Sequence, residues 1–273
     1  MILPPIFVSL FRKINREQKN IGGIFNESLD NKFHNPWTGR AWMEISTKKL
    51  YSIGQLSPSD MITKDCLLSY HTLVCLIINL LSSKRRCNIL DFGGGTGFVY
   101  FKLYQHFMSP ENVFWHVFDK NGSLYEIGKK YADESIFNYK VFFLDGLVDA
   151  ETYKKYDIIY VNTVLHNIID YTPVLKSFFK IKPQYIIFTR LFAGYIDTYI
   201  TCQIHPGGYE TPCVFLNFLE LESNFRNNGY RVIFKSPCIE AKLSNRYAND
   251  IPLSLRIPYS INIIFENMEG NEL

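Results

Sequence analysis

The stretch Ile89-Leu90-Asp91-Phe92-Gly93-Gly94-Gly95-Thr96-Gly97 decides the fold class, because a hydrophobic strand runs straight into a glycine-rich turn that opens a helix. Glycine is required where a chain turns tightly and where a ligand must approach the backbone closely. The spacing also discriminates between ligands. A dinucleotide fingerprint wants glycine at the first, third and sixth positions. Counted from Gly93 the sixth position is Phe98, whereas Gly93, Gly95 and Gly97 fit a G-x-G-x-G turn.

Outward from this turn the chain alternates short β-branched or aromatic runs with stretches of helical length, the pattern of a mostly parallel sheet covered on both faces. Seven runs stand out: Asn88 to Phe92, Val113 to Phe118, Lys140 to Leu144, Asp157 to Asn162, Tyr185 to Arg190, Tyr230 to Lys235 and Ser260 to Glu266. Helices are expected at about Gly97 to Phe107, Ser123 to Ala132, Asp149 to Lys154, Thr172 to Phe179 and Val214 to Asn227. The expectation is an α/β fold with five parallel strands and a final hairpin. Before Cys87 a loop rich in Asn, Gly and Pro runs to Gly39, and two apolar-periodic segments follow at about Arg40 to Leu50 and Thr63 to Leu81. We therefore divide the chain into an N-terminal arm and helical cap, residues 1–86, and a main domain, residues 87–273.

Asp119 ends the second run, 22 residues beyond Gly97, where a carboxylate can accept hydrogen bonds from both hydroxyls of a ribose. Asp145 ends the third run, near where an adenine edge falls in this strand order, although Asp145-Gly146 also reads as a turn. Asn162 ends the fourth run and faces the same crevice.

Composition narrows the partners. Hydrophobic residues make up 47% of the chain, with 22 Phe and 18 Tyr, so a sizeable core is available. The net charge of +3 comes from 29 basic and 26 acidic residues without clustering, and no nucleic-acid stripe is expected. Cys66, Cys75, Cys87, Cys202, Cys213 and Cys238 lie far apart with no C-x-x-C pair, which reads as reduced, buried thiols in a cytoplasmic protein. The most apolar stretch, Cys66 to Leu81, falls short of the roughly 20 residues that span a bilayer. The start, Met1 to Gln18, reads as an arm packed on its own domain or as a peripheral membrane foot.

Asp91-Phe92-Gly93-Gly94-Gly95-Thr96-Gly97, followed by Asp119, resembles the first motif and acidic residue of the class I S-adenosylmethionine-dependent methyltransferases. The resemblance covers about Cys87 to Glu266. It implies a Rossmann-like fold, S-adenosyl-L-methionine as cofactor, Asp91 orienting the methionine amino group through its surroundings, and Gly93, Gly95 and Gly97 lying along the methionine and ribose. More narrowly, the Trp-containing helical N-terminus, the glycine motif, Thr189-Arg190-Leu191 and the Gln203 segment look like a methyltransferase family encoded in bacterial surface-polysaccharide clusters. That resemblance implies a small-molecule or nucleotide-activated sugar as acceptor, in capsule or lipopolysaccharide synthesis.

Methyl transfer from a sulfonium is an in-line displacement, so positioning comes first, and proximity is worth roughly 7–11 kcal/mol against about 10²–10⁴-fold for a general base. Acceptors in an open α/β sheet sit beyond the carboxyl ends of the strands. His166, in Asn162-Thr163-Val164-Leu165-His166-Asn167, is the leading base candidate, with a hydrogen-bonded scaffold role as its alternative. His205, in Gln203-Ile204-His205-Pro206-Gly207-Gly208-Tyr209, lies on a loop of about 20 residues after the fifth strand. That loop is expected to line the acceptor pocket, with Gln203 and Tyr209 beside His205 as a second base candidate or a turn residue. Arg190 is a partner for an anionic acceptor group, or one half of a surface ion pair. Trp37 and Trp42 stack on a sugar ring or cover the cofactor, unless they are core aromatics. His34, His71, His106 and His116 show no metal-ligand spacing.

Two other functions remain open at this point. One is a scaffold that keeps the fold and cofactor without turnover. The other is a nicotinamide-dependent sugar oxidoreductase or epimerase, disfavoured by Phe98 and by the absence of a Tyr-x-x-x-Lys pair after the fourth strand.

Overall fold

The structure, a computed structural model, describes residues 21–25, 39–53, 70–107, 109–135, 137–147, 155–204 and 210–271. In chain order its elements are β1 (Ile21–Phe25), α1 (Arg40–Tyr51), α2 (His71–Ser83), β2 (Cys87–Phe92), α3 (Phe98–Leu103), β3 (Val113–Phe118), α4 (Ser123–Asp133), β4 (Val141–Leu144) and β5 (Ile158–Asn162). Then follow α5 (Thr172–Ile181), β6 (Tyr185–Leu191), β7 (Ala193–Gly194), β8 (Tyr199–Ile204), β9 (Glu210–Asn217), α6 (Phe218–Asn227), β10 (Tyr230–Lys242) and β11 (Tyr259–Asn267).

A strand covered on both faces must be apolar almost throughout, and the expected runs pair accordingly. The main sheet has the order β10-β11-β6-β5-β2-β3-β4, with β2 to β6 parallel and β11 antiparallel to both β6 and β10. The expected α/β fold, five parallel strands and a closing hairpin, is what the chain adopts. One face buries Ile89, Trp115, Tyr160 and Ile187 against Leu73 and Ile77 of α2 and Tyr100 and Phe101 of α3. The other buries Leu90, Ile159 and Phe188 against Phe178 of α5 and Phe225 of α6. Phe225 stacks on Phe265 of β11 with centroids 3.8 Å apart. The chain leaves β2 toward β3 and leaves β5 toward β6, so adjacent strands part at their carboxyl ends. That divergence opens the crevice in which ligands of such sheets bind.

Three sequence expectations need correction. The helix expected over Val214–Asn227 starts at Phe218, because Glu210–Asn217 is β9, paired antiparallel with β8 from Tyr199↔Phe215 to Ile204↔Glu210. Asn217 caps α6, its Oδ1 accepting from the amides of Leu219 at 2.9 Å and Glu220 at 3.4 Å. The loop expected after the fifth strand is therefore largely an antiparallel strand pair. Finally, the segment expected as a loop up to Gly39 contains β1, which pairs antiparallel with β8. Together β1, β8, β9 and β7 form a second sheet. Its core joins Ile21, Phe192, Tyr199 and Phe215 to Tyr247 and Ile257 from the excursion between β10 and β11.

The division at residue 86 is not a break in packing, since α2 shares a core with β2 and β1 belongs to a sheet with β8. The helix begun at Gly97 ends at Leu103 in a 3₁₀ turn, Tyr104–His106. The helix expected at Asp149 to Lys154 lies outside the described residues. Among the described cysteines Cys87, Cys202, Cys213 and Cys238 are buried free thiols, and Cys75 is exposed. No helix among the described residues is long and apolar enough to cross a membrane.

Candidate functional site

The turn after β2 is built from left-handed backbone: φ is +75° at Gly93, +57° at Gly95 and +73° at Gly97. L-residues pay roughly 1–2 kcal/mol for such a conformation. At Gly93 sterics add to this, because a Cβ there would lie 2.4 Å from Val164 Cγ2, on the segment that follows β5. At Gly94 a Cβ would lie 2.5 Å from the Asp91 carboxyl group. Gly95 is different, since its Cβ would meet nothing nearer than Leu124 Cδ1 at 3.4 Å. The turn is thus loosest at Gly95 and Gly97, where a Cβ would reach only ordinary contact, while Gly93 and Gly94 are packed tightly against the protein.

Two carboxylates flank the turn. Asp91 lies beneath it, buried, and accepts a 3.0 Å hydrogen bond from Trp115 Nε1. Burial raises its carboxyl to about 7, the Trp115 bond opposing the rise and the Asp119 charge adding to it. Asp119 is half-buried at the rim, where Oδ2 accepts from the Gly95 amide at 3.0 Å and Oδ1 from the Asn121 amide at 2.8 Å. Burial raises the Asp119 carboxyl as well, and these two amides hold it down. The Tyr125 hydroxyl of α4 bonds the main chain of Asp119, donating to its carbonyl at 2.5 Å. Asp145 is exposed just past β4, close enough for its charge to act on the Tyr125 hydroxyl.

Beyond β5, Asn162 Oδ1 accepts from the hydroxyls of Thr163 and Thr189, each at 2.9 Å, and Tyr160 lies 3.2 Å from Thr189. Thr163 takes φ +62°, which turns the chain sharply out of the strand. The His166 imidazole follows in a 3₁₀ turn, Leu165–Asn167, buried and stacked on Phe192 with centroids 3.9 Å apart and planes 9° apart.

Arg190 sits in a β-bulge. Ile261 and Ile263 of β11 oppose Leu191 and Phe188 of β6, so three steps of one strand match two of the other. Phe188 and Leu191 both belong to the core under α5 and α6, a pattern strict alternation forbids. The extra residue is absorbed at Arg190, where φ is +57° and the amide donates to Asn262 Oδ1 at 3.1 Å. Its charge partly offsets the burial that raises the Tyr160 hydroxyl.

Gly93, Gly95, Gly97, Asp91, Asp119, Asp145 and Asn162 are thus gathered at the carboxyl ends of β2 to β5, with Arg190 ending β6 nearby. Gln203 is not on a loop but on β8, opposite Ile21 and Thr211 in the second sheet. Trp37, His205 and Tyr209 lie outside the described residues. Sequence reasoning missed Lys49 and Lys102, whose ammonium groups lie 4.2 Å and 5.5 Å from the Phe98 ring centroid, at the start of α3. It also missed Trp115 as the partner of Asp91; a single Trp on the neighbouring strand, 24 residues along the chain, gives no local signal.

Residues 60–189 match the ubiE/COQ5 methyltransferase family. No curated protein matches the chain in sequence. Among solved structures, the chain is similar to magnesium protoporphyrin IX methyltransferase (ChlM) from Synechocystis PCC 6803 with bound SAH, at 12% identity and TM-score 0.51, covering 85% of this chain and 96% of that one. The same enzyme with bound SAM matches at 14% identity and TM-score 0.50, covering 89% and 100%. The glycopeptide N-methyltransferase MtfA matches at 10% identity and TM-score 0.50, covering 76% and 96%. At these identities the structural likeness speaks for the fold, and the family match falls on the glycine turn and strands β2 to β6. The nicotinamide alternative falls with it. Over residues 60–189 the chain matches a methyltransferase family, and it carries that segment on a Rossmann-like sheet.

Proposed function

We propose that the chain transfers the methyl group to an oxygen of a sugar or of a phosphate-type substituent on it, in the assembly of a surface polysaccharide. The observation that carries the cofactor half of this reading is Asp119, fixed by the Gly95 and Asn121 amides at the rim of the glycine turn. In this reading a ribose diol bonds the remaining lone pairs of Asp119, with Asp145 and Asn162 bordering the adenine and methionine ends. Asp91, beneath Gly94, sets the polarity under the methionine amino group. S-adenosylmethionine supplies an electrophilic methyl carbon. The acceptor oxygen attacks it, the carbon–sulfur bond breaks, and a hydroxyl acceptor releases its proton to solvent or to a base.

The stacking of His166 on Phe192 supports a positioning role for that residue, holding the segment after β5 in place. Little proton chemistry is then required of the protein if the acceptor oxygen is already anionic. The saccharide acceptor is supported by the sequence resemblance around Thr189-Arg190-Leu191 and by the cationic side chains near Phe98. Free buried thiols support a reducing, cytoplasmic setting.

The test is incubation with methyl-labelled S-adenosylmethionine and a panel of nucleotide-activated sugars and sugar phosphates. Label appearing in an alkali-stable ether or a phosphate ester of the sugar is expected. Label confined to nitrogen or carbon, or found only with non-saccharide acceptors, overturns the reading.

A further inference from the structure

We propose that the Asn162 carboxamide donates a hydrogen bond to the carboxylate of the cofactor's methionine tail, and that Tyr160 and Thr189 are the positioning residues that turn its amino group outward; this rests on the S-adenosylmethionine reading above. The orientation follows from a chain of hydroxyls. Tyr160 of β5 and Thr189 of β6 are buried, at 0% and 5% exposure, so solvent does not satisfy them. The Tyr160 hydroxyl lies 3.2 Å from Thr189 Oγ1. A buried phenol with no other acceptor donates there, and Thr189 has one hydrogen of its own. That hydrogen goes to Asn162 Oδ1, at 2.9 Å.

Thr163 closes the other side. Its hydroxyl donates to the same oxygen at 2.9 Å, and its amide donates to the Thr189 carbonyl at 3.1 Å. Turning the carboxamide over would set its amino group against Thr189 and leave the Thr189 hydrogen buried without an acceptor, the costly arrangement for a polar group. The Asn162 oxygen therefore faces inward, and Nδ2, which has no hydrogen-bond partner among the described residues, faces away from it. The register Asn162↔Thr189 and Asp91↔Tyr160 puts all four side chains on one face of the sheet.

The position of Asn162 selects the group it meets. In the sheet β2 lies between β3 and β5, so Asp119 and Asn162 stand on either side of the glycine turn. They are two strand spacings apart, roughly 10 Å. A ribose diol on Asp119 leaves the amino-acid tail to cross above β2 toward Asn162. The ammonium of that tail is a donor and cannot pair with Nδ2, whereas its carboxylate accepts, and a bond to an ionised acceptor is the stronger kind. An aspartate at this position would turn a second oxygen outward and repel the same carboxylate.

Calorimetric titration of the full chain with three ligands tests this: S-adenosylhomocysteine, S-adenosyl-3-thiopropylamine, which keeps the ammonium and lacks the carboxylate, and 5′-methylthioadenosine, which lacks both. Asn162→Asp should lower affinity for S-adenosylhomocysteine at least about tenfold, hold or improve affinity for the thiopropylamine, and leave methylthioadenosine within about twofold. Thr189→Val keeps the side-chain shape and frees the carboxamide to turn. It should lower affinity for S-adenosylhomocysteine by about three- to tenfold and spare both analogues, a ligand-selective loss that a packing residue does not produce. If Asn162→Asp does not fold, Asn162→Ala serves the same comparison, with the loss again confined to the carboxylate-bearing ligand. Binding of S-adenosylhomocysteine by the folded Asn162 variant within about twofold of wild type, or equal weakening of all three ligands, overturns the assignment. Unchanged S-adenosylhomocysteine binding with methyl transfer to the sugar panel lost would also overturn it, giving the amide to the acceptor oxygen instead. If the wild type binds none of the three, the cofactor reading itself fails and the assignment with it.

Discussion

The Gly95 amide donates a 3.0 Å hydrogen bond to Oδ2 of Asp119, tying the turn after β2 to the end of β3. With Oδ1 held by the Asn121 amide at 2.8 Å, one carboxylate fixes both chain segments that border the cofactor crevice. Asp119→Ala leaves two amides without their acceptor and removes the group proposed to bond the ribose. Affinity for S-adenosylhomocysteine should fall by about 1.5–3 kcal/mol, the range for hydrogen bonds to charged groups. Asp119→Asn keeps one carbonyl oxygen and should fall between Asp119→Ala and wild type. Calorimetry on the folded variants decides it, and an unchanged dissociation constant for Asp119→Ala would remove Asp119 from the site.

Gly93 and Gly95, both left-handed, should not respond alike. Gly93→Ala places a methyl 2.4 Å from Val164 Cγ2 on top of the conformational cost and should lower stability by about 2–4 kcal/mol. Gly95→Ala brings its methyl only to ordinary contact with Leu124 and Asp119 and should cost about 1–2 kcal/mol in stability while weakening cofactor binding more than tenfold. Chemical denaturation beside ligand titration separates the two. Equal stability losses, with cofactor affinity spared at Gly95, would show that this part of the turn faces no ligand.

Burial raises the Asp91 carboxyl from 3.8 to about 7, which sets a sign for the pH dependence of stability. Between about pH 4 and pH 7 the unfolded carboxyl is ionised while the folded one keeps its proton, so unfolding releases a proton and stability falls as pH rises. The contribution is fully present below about pH 4 and lost above about pH 7, a change of about 4 kcal/mol for a shift of this size. Asp91→Asn cannot titrate and still offers an acceptor to Trp115. Melting temperatures at pH 4.5 and 7.5 should therefore show a smaller decline in the variant than in the wild type. Identical declines would mean that Asp91 is ionised throughout.

The sheet was legible in the sequence because its central strands are buried on both faces and read as mostly apolar runs, as in Ile158, Ile159, Tyr160 and Val161 of β5. The glycine turn was legible for the same local reason: Gly93, Gly95 and Gly97 answer backbone demands within a few residues. What escaped was set by partners far along the chain. Glu210–Asn217 is a strand because β8 pairs with it, and Ile21–Phe25 is a strand because β8 offers its other edge nearly 180 residues later. Arg190 was identified by type and position, but its direction depends on a bulge against Ile261 and Ile263 that no local pattern reveals. Lys49 looks like any lysine of an amphipathic helix until α1 is laid against α3.

His166 is the residue at which positioning and proton removal can be told apart. Its ring lies 3.9 Å from that of Phe192 in nearly parallel planes, and Phe192 in turn contacts Phe215 of β9 at 5.0 Å. The imidazole therefore links the segment after β5 to the second sheet. His166→Ala removes the link and leaves a cavity, which should cost about 2–4 kcal/mol of stability and lower activity through a displaced loop. That result alone does not discriminate, since a lost base would also lower activity. His166→Phe keeps a flat ring against Phe192 and has no nitrogen to carry a proton. If His166 positions, His166→Phe should recover most of the stability and retain kcat within about tenfold, with no histidine signature in the pH profile. If His166 takes the acceptor proton, His166→Phe should stay folded while kcat falls by roughly 10²–10⁴-fold, and the wild-type rate should rise with pH as the base loses its proton. We expect the first outcome, and a folded, inactive His166→Phe that binds S-adenosylhomocysteine normally would establish the second.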